Sequence, residues 1–411
     1  MKINIRRSIE GFYFFLLLFL VFFVKWYNNS QAIKYVSLLA FPLFFYKNRV
    51  SINRKKIIAI IMLIVYILLN ILITKRHDFL WKEIILYIAS PLGIMFFMGA
   101  YRDEIEKQNI QKFIFWFFNI YNVINFIIMV FQKNNSFFMM RVYHSNLLYG
   151  DQITGLIGIN GTHRLVLFYI TIIYLDLYFI KKNIFKKTAT FLGAFNILSS
   201  VYISTFNDNR AYYYILLISL IPIFINEMTE SKEKNMWLKT VFFIGIVILT
   251  AVLVFKFNVN VRKFVNKEII ERFFIRTKIN LQAQEKTEER IVLFKYALEH
   301  GEGLRFGKGL GAVHIIGDPS MPRHFGMSEI TSRVYNGGII YVILLAYIYF
   351  NYIMDYSKIK INKYFKLYIG FVIVFLVAYQ QIFSVNEETF LASLMFYYML
   401  KYNDITMEKT D

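Results

Sequence analysis

The chain has 411 residues, of which 57% are hydrophobic and 19% aromatic, and its mean hydropathy is +0.46. That is more apolar surface than a water-soluble chain of this length can hide, so lipid has to cover part of it. The formal net charge of +20 would suggest nucleic acid in a soluble protein, but beside a bilayer it marks cytoplasmic loops and anionic headgroups, and no nucleic-acid partner is expected. Cysteine is absent, which excludes disulfides, thiolate metal ligands and a thiol nucleophile.

Apolar runs long enough to approach a bilayer crossing follow one another at 11–24, 32–46, 57–74, 79–100, 110–131, 165–180, 188–205, 211–226, 238–255, 337–354, 367–383 and 390–400. The second and last are the shortest. The first follows Lys2, Arg6 and Arg7, as a signal peptide would, but Lys25-Trp26-Tyr27-Asn28 offers no small-x-small cleavage site, so an uncleaved span is expected. The fold class expected is an all-α polytopic membrane protein, one membrane domain over 1–411 with about 12 transmembrane helices.

Orientation follows from charge. A cytoplasmic N-terminus puts the basic loops 47–56, 181–187 and 358–366 inside and 28–31, 207–209 and 386–388 outside, with Lys75-Arg76 as the exception. Both termini are then cytoplasmic. Two long segments fall on the outer side, 132–164 and, between spans nine and ten, 256–336. Long loops of this kind commonly carry function. The larger one holds fourteen Lys and Arg against nine Asp and Glu, which suits an anionic partner. Its stretch 269–300 has helical periodicity and is expected to form amphipathic helices at the interface.

Several residues at this boundary have the chemistry for a site. Arg210, after Phe206-Asn207-Asp208-Asn209, either anchors a helix among headgroups or clamps phosphate oxygens. Arg290, in Glu288-Glu289-Arg290, either pairs along a solvated helix or serves the same anion. The run Gly307-Lys308-Gly309-Leu310-Gly311 follows no strand, and reads as a tight turn that lets backbone approach something closely. In Asp318-Pro319-Ser320-Met321-Pro322-Arg323-His324-Phe325-Gly326-Met327-Ser328-Glu329, either His324 or Glu329 can take a proton from a sugar hydroxyl. Glu329 can instead pair with Arg333, four residues along one helical face. His163 and Arg164, after Asn160-Gly161-Thr162, mark either an interface or a substrate contact, and Arg323 and Arg333 are further candidate substrate contacts. Neither long loop carries a paired-carboxylate or His-x-x-x-His metal motif.

This arrangement resembles the O-antigen polymerase and ligase superfamily, which includes capsular and exopolysaccharide repeat-unit polymerases. The patches that carry the resemblance are Ile153-Thr154-Gly155-Leu156-Ile157-Gly158, Asn209-Arg210-Ala211, Arg290 with the Gly-rich run 307–311, and Ser328-Glu329-Ile330 followed by Asn336-Gly337-Gly338. One departure stands out: the family's histidine would fall near Ser328, whereas the candidate here is His324. The resemblance implies a GT-C-like membrane glycosyltransferase that works without metal or cofactor. Its donor would be undecaprenyl-pyrophosphate-linked oligosaccharide, with Arg210 and Arg290 on the pyrophosphate and His324 and Glu329 as the catalytic pair. The partners it implies are that lipid-linked sugar, membrane lipid, and flippase and chain-length regulator proteins. A ligase moving finished glycan to another acceptor would look similar. A lipid-linked oligosaccharide flippase, from a different class, would instead carry its charged residues in a central cavity.

Overall fold

A computed structural model describes residues 5–24, 32–46, 54–74, 83–135, 153–158, 161–204, 306–310, 329–358, 363–379 and 386–408, with a few shorter stretches between them. Every regular element among these is helical: α1 (Ile5–Phe19, continued by a π-helical turn Leu20–Val24), α2 (Ala32–Leu38), α3 (Ala40–Tyr46), α4 (Arg54–Thr74), α5 (Ser90–Ile105, after a π-helical Glu83–Ala89), α6 (Gln108–Asn134), α7 (Thr162–Lys181), α8 (Lys186–Ser204), α9 (Glu329–Met354), α10 (Lys363–Tyr379) and α11 (Asn386–Glu408). Four of them, in α4, α6, α7 and α9, are both long and apolar enough to cross a bilayer. The run at 32–46 is two short helices broken at Leu39, while the run at 337–354 belongs to a helix that starts earlier, at Glu329.

α7 is the central element. It packs along α11 and α8, and its side chains from Arg164 to Asp176 are all buried. α4 lies at the periphery and packs mainly against α9. Its Ile58, Ile61, Met62, Leu68 and Leu72 are exposed while Asn70 is buried. A helix that faces its isoleucines outward and its asparagine inward is organised for hydrocarbon, where the polar group must find a partner inside the protein. α6 carries the strongest case of this kind: Gln111, Asn119, Asn122, Asn125 and Gln132 all point inward from an otherwise apolar helix.

Side-chain bonds show which helix ends share a side. At one end, Lys358 and Lys401 both reach Glu106, Ser357 donates to Asp404 at 2.5 Å, and Arg102 donates to the Asp355 carbonyl at 2.8 Å. Burial works against ionisation of Glu106, but hydrogen bonds from Lys358 and Lys401 outweigh it and hold the carboxyl below its ordinary range. The hydrogen bond to Glu106 raises Lys358 in turn. The opposite end gathers the starts of α5, α7, α9 and α11 and the finishes of α4, α6 and α8, as the contacts below describe. α8 finishes and α9 starts at that same end, so the chain between them leaves and returns on one side.

Candidate functional site at the Glu329 end

α9 opens with Glu329 and Arg333 one turn apart, both buried, with Arg333 Nε 3.7 Å from Glu329 Oε1. The pairing expected from their spacing is present. Glu329 Oε2 also accepts from the Phe383 N–H at 3.0 Å. Arg333 donates to the Tyr87 carbonyl at 2.8 Å and to the Tyr341 hydroxyl at 3.4 Å, with its guanidinium over both tyrosine rings. A planar fork with several donors can serve a carboxylate, a carbonyl and aromatic faces together. Glu329 is thus held from two sides inside the bundle rather than open to solvent.

Five residues beyond Arg333 the helix breaks. Gly338 has φ 73° and ψ 178°, which only glycine adopts without strain. The Gly-rich run lies against this break. The Lys308 N–H donates to the Tyr335 carbonyl at 2.8 Å and the Gly309 N–H to the Asn336 carbonyl at 3.0 Å. α4 holds the arrangement from the other side: Asn70 donates to the Phe306 carbonyl at 2.6 Å and accepts from the Leu310 N–H at 3.1 Å. The Tyr66 hydroxyl donates to the Gly337 carbonyl at 2.6 Å. Gly307 has φ +66°, and a Cβ there would stand 2.6 Å from the Tyr335 oxygen. The close approach expected of this run is therefore made to the backbone of 335–337.

The Thr-Gly patch is seated by the polar face of α6. The Leu156 N–H donates to Asn125 Oδ1 at 2.6 Å and the Gly155 N–H to Gln132 Oε1 at 2.9 Å, while Thr154 Oγ1 closes the turn on the Gly158 carbonyl at 2.8 Å. Gly155 has φ +62° and leaves a Cβ no room beside Asn125. This turn delivers the chain to the start of α7, where Arg164 is 1% exposed. Its charge is set against Glu387 and Glu388 in the first turn of α11, a position where carboxylates also favour the helix dipole. The connection leading into α11 is tied at both ends, since the Phe383 N–H donates to Glu329 and Asn386 accepts from Ser90 Oγ at 2.9 Å. His163 is half-buried beside Arg164.

Arg164, His163, Glu329 and Arg333 are thus placed in one layer at one end of the bundle. Arg210, Arg290, Arg323 and His324 lie outside the described residues. Tyr66, Asn70, Tyr87, Glu387 and Glu388 belong to the layer without having been singled out in the sequence. The adjacent carboxylates at a helix start in an apolar chain were the available signal, as was a lone asparagine in the most apolar run of all. Among the described residues no three His, Asp or Glu side chains converge as metal ligands would. The sequence matches no protein-family model and no curated protein.

Proposed function

We propose that this chain is an integral membrane glycosyltransferase that joins undecaprenyl-pyrophosphate-linked oligosaccharide repeat units on the outer face of the bacterial cytoplasmic membrane, with the Glu329 end outward. The observation that carries this reading is the seating of the Gly-rich run on the kinked start of α9, at 2.8 and 3.0 Å. It joins two separate segments, both of which belong to the polymerase-like pattern, within one polar layer at this end of the bundle. In this reading Arg210 and Arg290 hold the pyrophosphate and offset the charge it gains as it departs. His324 takes the proton of the acceptor hydroxyl, whose oxygen attacks the anomeric carbon as the bond to the pyrophosphate oxygen breaks. Glu329, engaged with Arg333, orients the acceptor side, and Arg164 and His163 complete the polar wall. A ligase would use the same groups and differ in its acceptor.

One observation favours a second reading, a carrier of lipid-linked oligosaccharide: Asp176 on α7 is buried among helices, 1% exposed, where a carrier keeps ionisable groups. Reconstitution of the purified protein in liposomes with lipid-linked repeat units separates the two. A ladder of extended products supports the polymerase, and movement of unextended lipid between leaflets supports the carrier and overturns it.

A further inference from the structure

Asp176 lies about 21 Å along the α7 axis from Thr162 and about 7 Å from Lys181. Its partners are amides. Asn119 of α6 donates to Oδ1 at 3.0 Å and Asn196 of α8 donates to Oδ2 at 2.6 Å. Asn196 also donates to Asn119 Oδ1 at 2.8 Å, and Asn122 donates to Asn196 Oδ1 at 2.7 Å. α8 passes close to the carboxylate at Gly193, where a Cβ would stand 3.4 Å from the Asp176 Cβ. The cluster is closed to solvent: Asn119, Asn122, Asp176 and Asn196 are each 1% exposed or less. One acceptor is left over. Asn122 Oδ1 is buried with no hydrogen-bond partner among the described residues, although the same amide is bonded into the cluster through Nδ2.

Charged groups on the neighbouring helices are occupied elsewhere. On α11, Glu387 and Glu388 are set against Arg164, Lys401 is bound to Glu106 and Asp404, Tyr398 packs on Tyr178 and Tyr402 lies between Tyr174 and Lys181. On α6, Lys112 and Lys133 cover Phe185 and Tyr202, and on α8 the lysines 186 and 187 are exposed at the helix start. Among the described residues, neutral amides alone hydrogen-bond the Asp176 carboxyl. Two neutral donors ease a buried negative charge without cancelling it, so in hydrocarbon the charge has to be balanced by something bound. A network serving only to lock three helices together would be met by a fourth amide; the carboxyl differs from an amide in its capacity to bind and release positive charge.

We propose that Asp176, held by Asn119 and Asn196 in one cluster with the unfilled acceptor of Asn122, binds one exchangeable small cation inside the membrane, a proton or a bare monovalent metal ion. The inference rests on this cluster alone and stands whether the chain is a transferase or a carrier. The test is infrared difference spectroscopy of the full-length protein in lipid nanodiscs, with ¹³C-labelled aspartate carboxyls, titrated with acid and base in choline chloride and again in sodium chloride. A protonated-carboxyl band that titrates in the wild type and is lost in Asp176→Asn is expected. A midpoint that falls as sodium rises, by up to about one pH unit per tenfold concentration, assigns the charge to a competing metal ion; a midpoint indifferent to sodium assigns it to the proton. Asn196→Ala, which keeps the carboxyl and removes one donor, displaces the midpoint and serves if Asp176→Asn does not fold. Wild-type spectra that show no such band and no sodium effect, or a midpoint unmoved by Asn196→Ala, overturn the proposal.

Discussion

Arg333 reaches back one helical turn to Glu329, Nε to Oε1 at 3.7 Å, and each side chain is 3% exposed. Removing one member strands the other charge in a buried place, whereas removing both does not. Glu329→Gln should therefore cost about 3–5 kcal/mol, and Glu329→Gln with Arg333→Met appreciably less. Thermal unfolding of the detergent-purified variants measures this. Equal losses in the single and double variants would mean that the pair does not act as a unit.

Gly307→Ala places a Cβ 2.6 Å from the Tyr335 oxygen at φ +66°. The strain should cost about 1–3 kcal/mol and release the Gly-rich run from α9, seen as faster proteolysis within 300–312 and loss of polymer. Gly370→Ala is the control, because its Cβ meets Phe350 at an ordinary 3.8 Å. Native protease resistance in Gly307→Ala would remove the seating from the account.

For the pyrophosphate clamp, Arg210→Ala and Arg290→Ala should each abolish turnover at normal expression. The lysine variants should keep part of it, since they retain charge and lose the planar fork. Polymer made at the native rate by both alanine variants would sink the clamp.

The two candidates for the base separate by pH. His324→Ala should remove an acidic limb at roughly pH 6 to 7 and slow extension on the order of a hundredfold or more. Glu329→Gln should leave that limb in place. Normal extension by His324→Ala together with loss in Glu329→Gln would transfer the role to the carboxylate.

At the opposite end, the Glu106 clasp has a definite pH window. The Glu106 carboxyl is held below its ordinary 4.5, so its contribution is present above that value and lost as pH falls through the depressed one. Lys358 is raised above its ordinary 10.5, so its contribution is present below that value and lost as pH rises through the raised one. Stability should thus be flat between these limits and fall on the acid side, and Glu106→Gln should flatten that acid limb. An acid limb unchanged in Glu106→Gln, followed by circular dichroism, would assign it to other carboxylates.

Periodicity and hydropathy made several helices legible in the sequence: the runs at 57–74, 110–131 and 165–180 reappear as Arg54–Thr74, Gln108–Asn134 and Thr162–Lys181. Hydropathy placed the start of α9 eight residues late, because Glu329 and Arg333 depress the average while neutralising each other inside the helix. Asn119, Asn122 and Asn125 were hidden in a run that averages as apolar. Their spacing of three, which puts them on one helical face, was the signal that an average erases. The charges set against Arg164 were unreadable for another reason: Glu387 and Glu388 lie more than two hundred residues away, and their approach is decided by how α11 packs on α7.

The break at Gly338 has a mechanical meaning. A continuous helix transmits rotation from end to end through its hydrogen-bond ladder, and α9 lacks that continuity where φ turns to 73°. The break divides α9 into 329–337, tied to the Gly-rich run, Tyr87 and Phe383, and 339–354, which continues the span. The Tyr66 hydroxyl on the Gly337 carbonyl is a detent at that joint, set in a helix that otherwise faces lipid. α4, whose outer face is apolar, thus touches the joint itself through Tyr66.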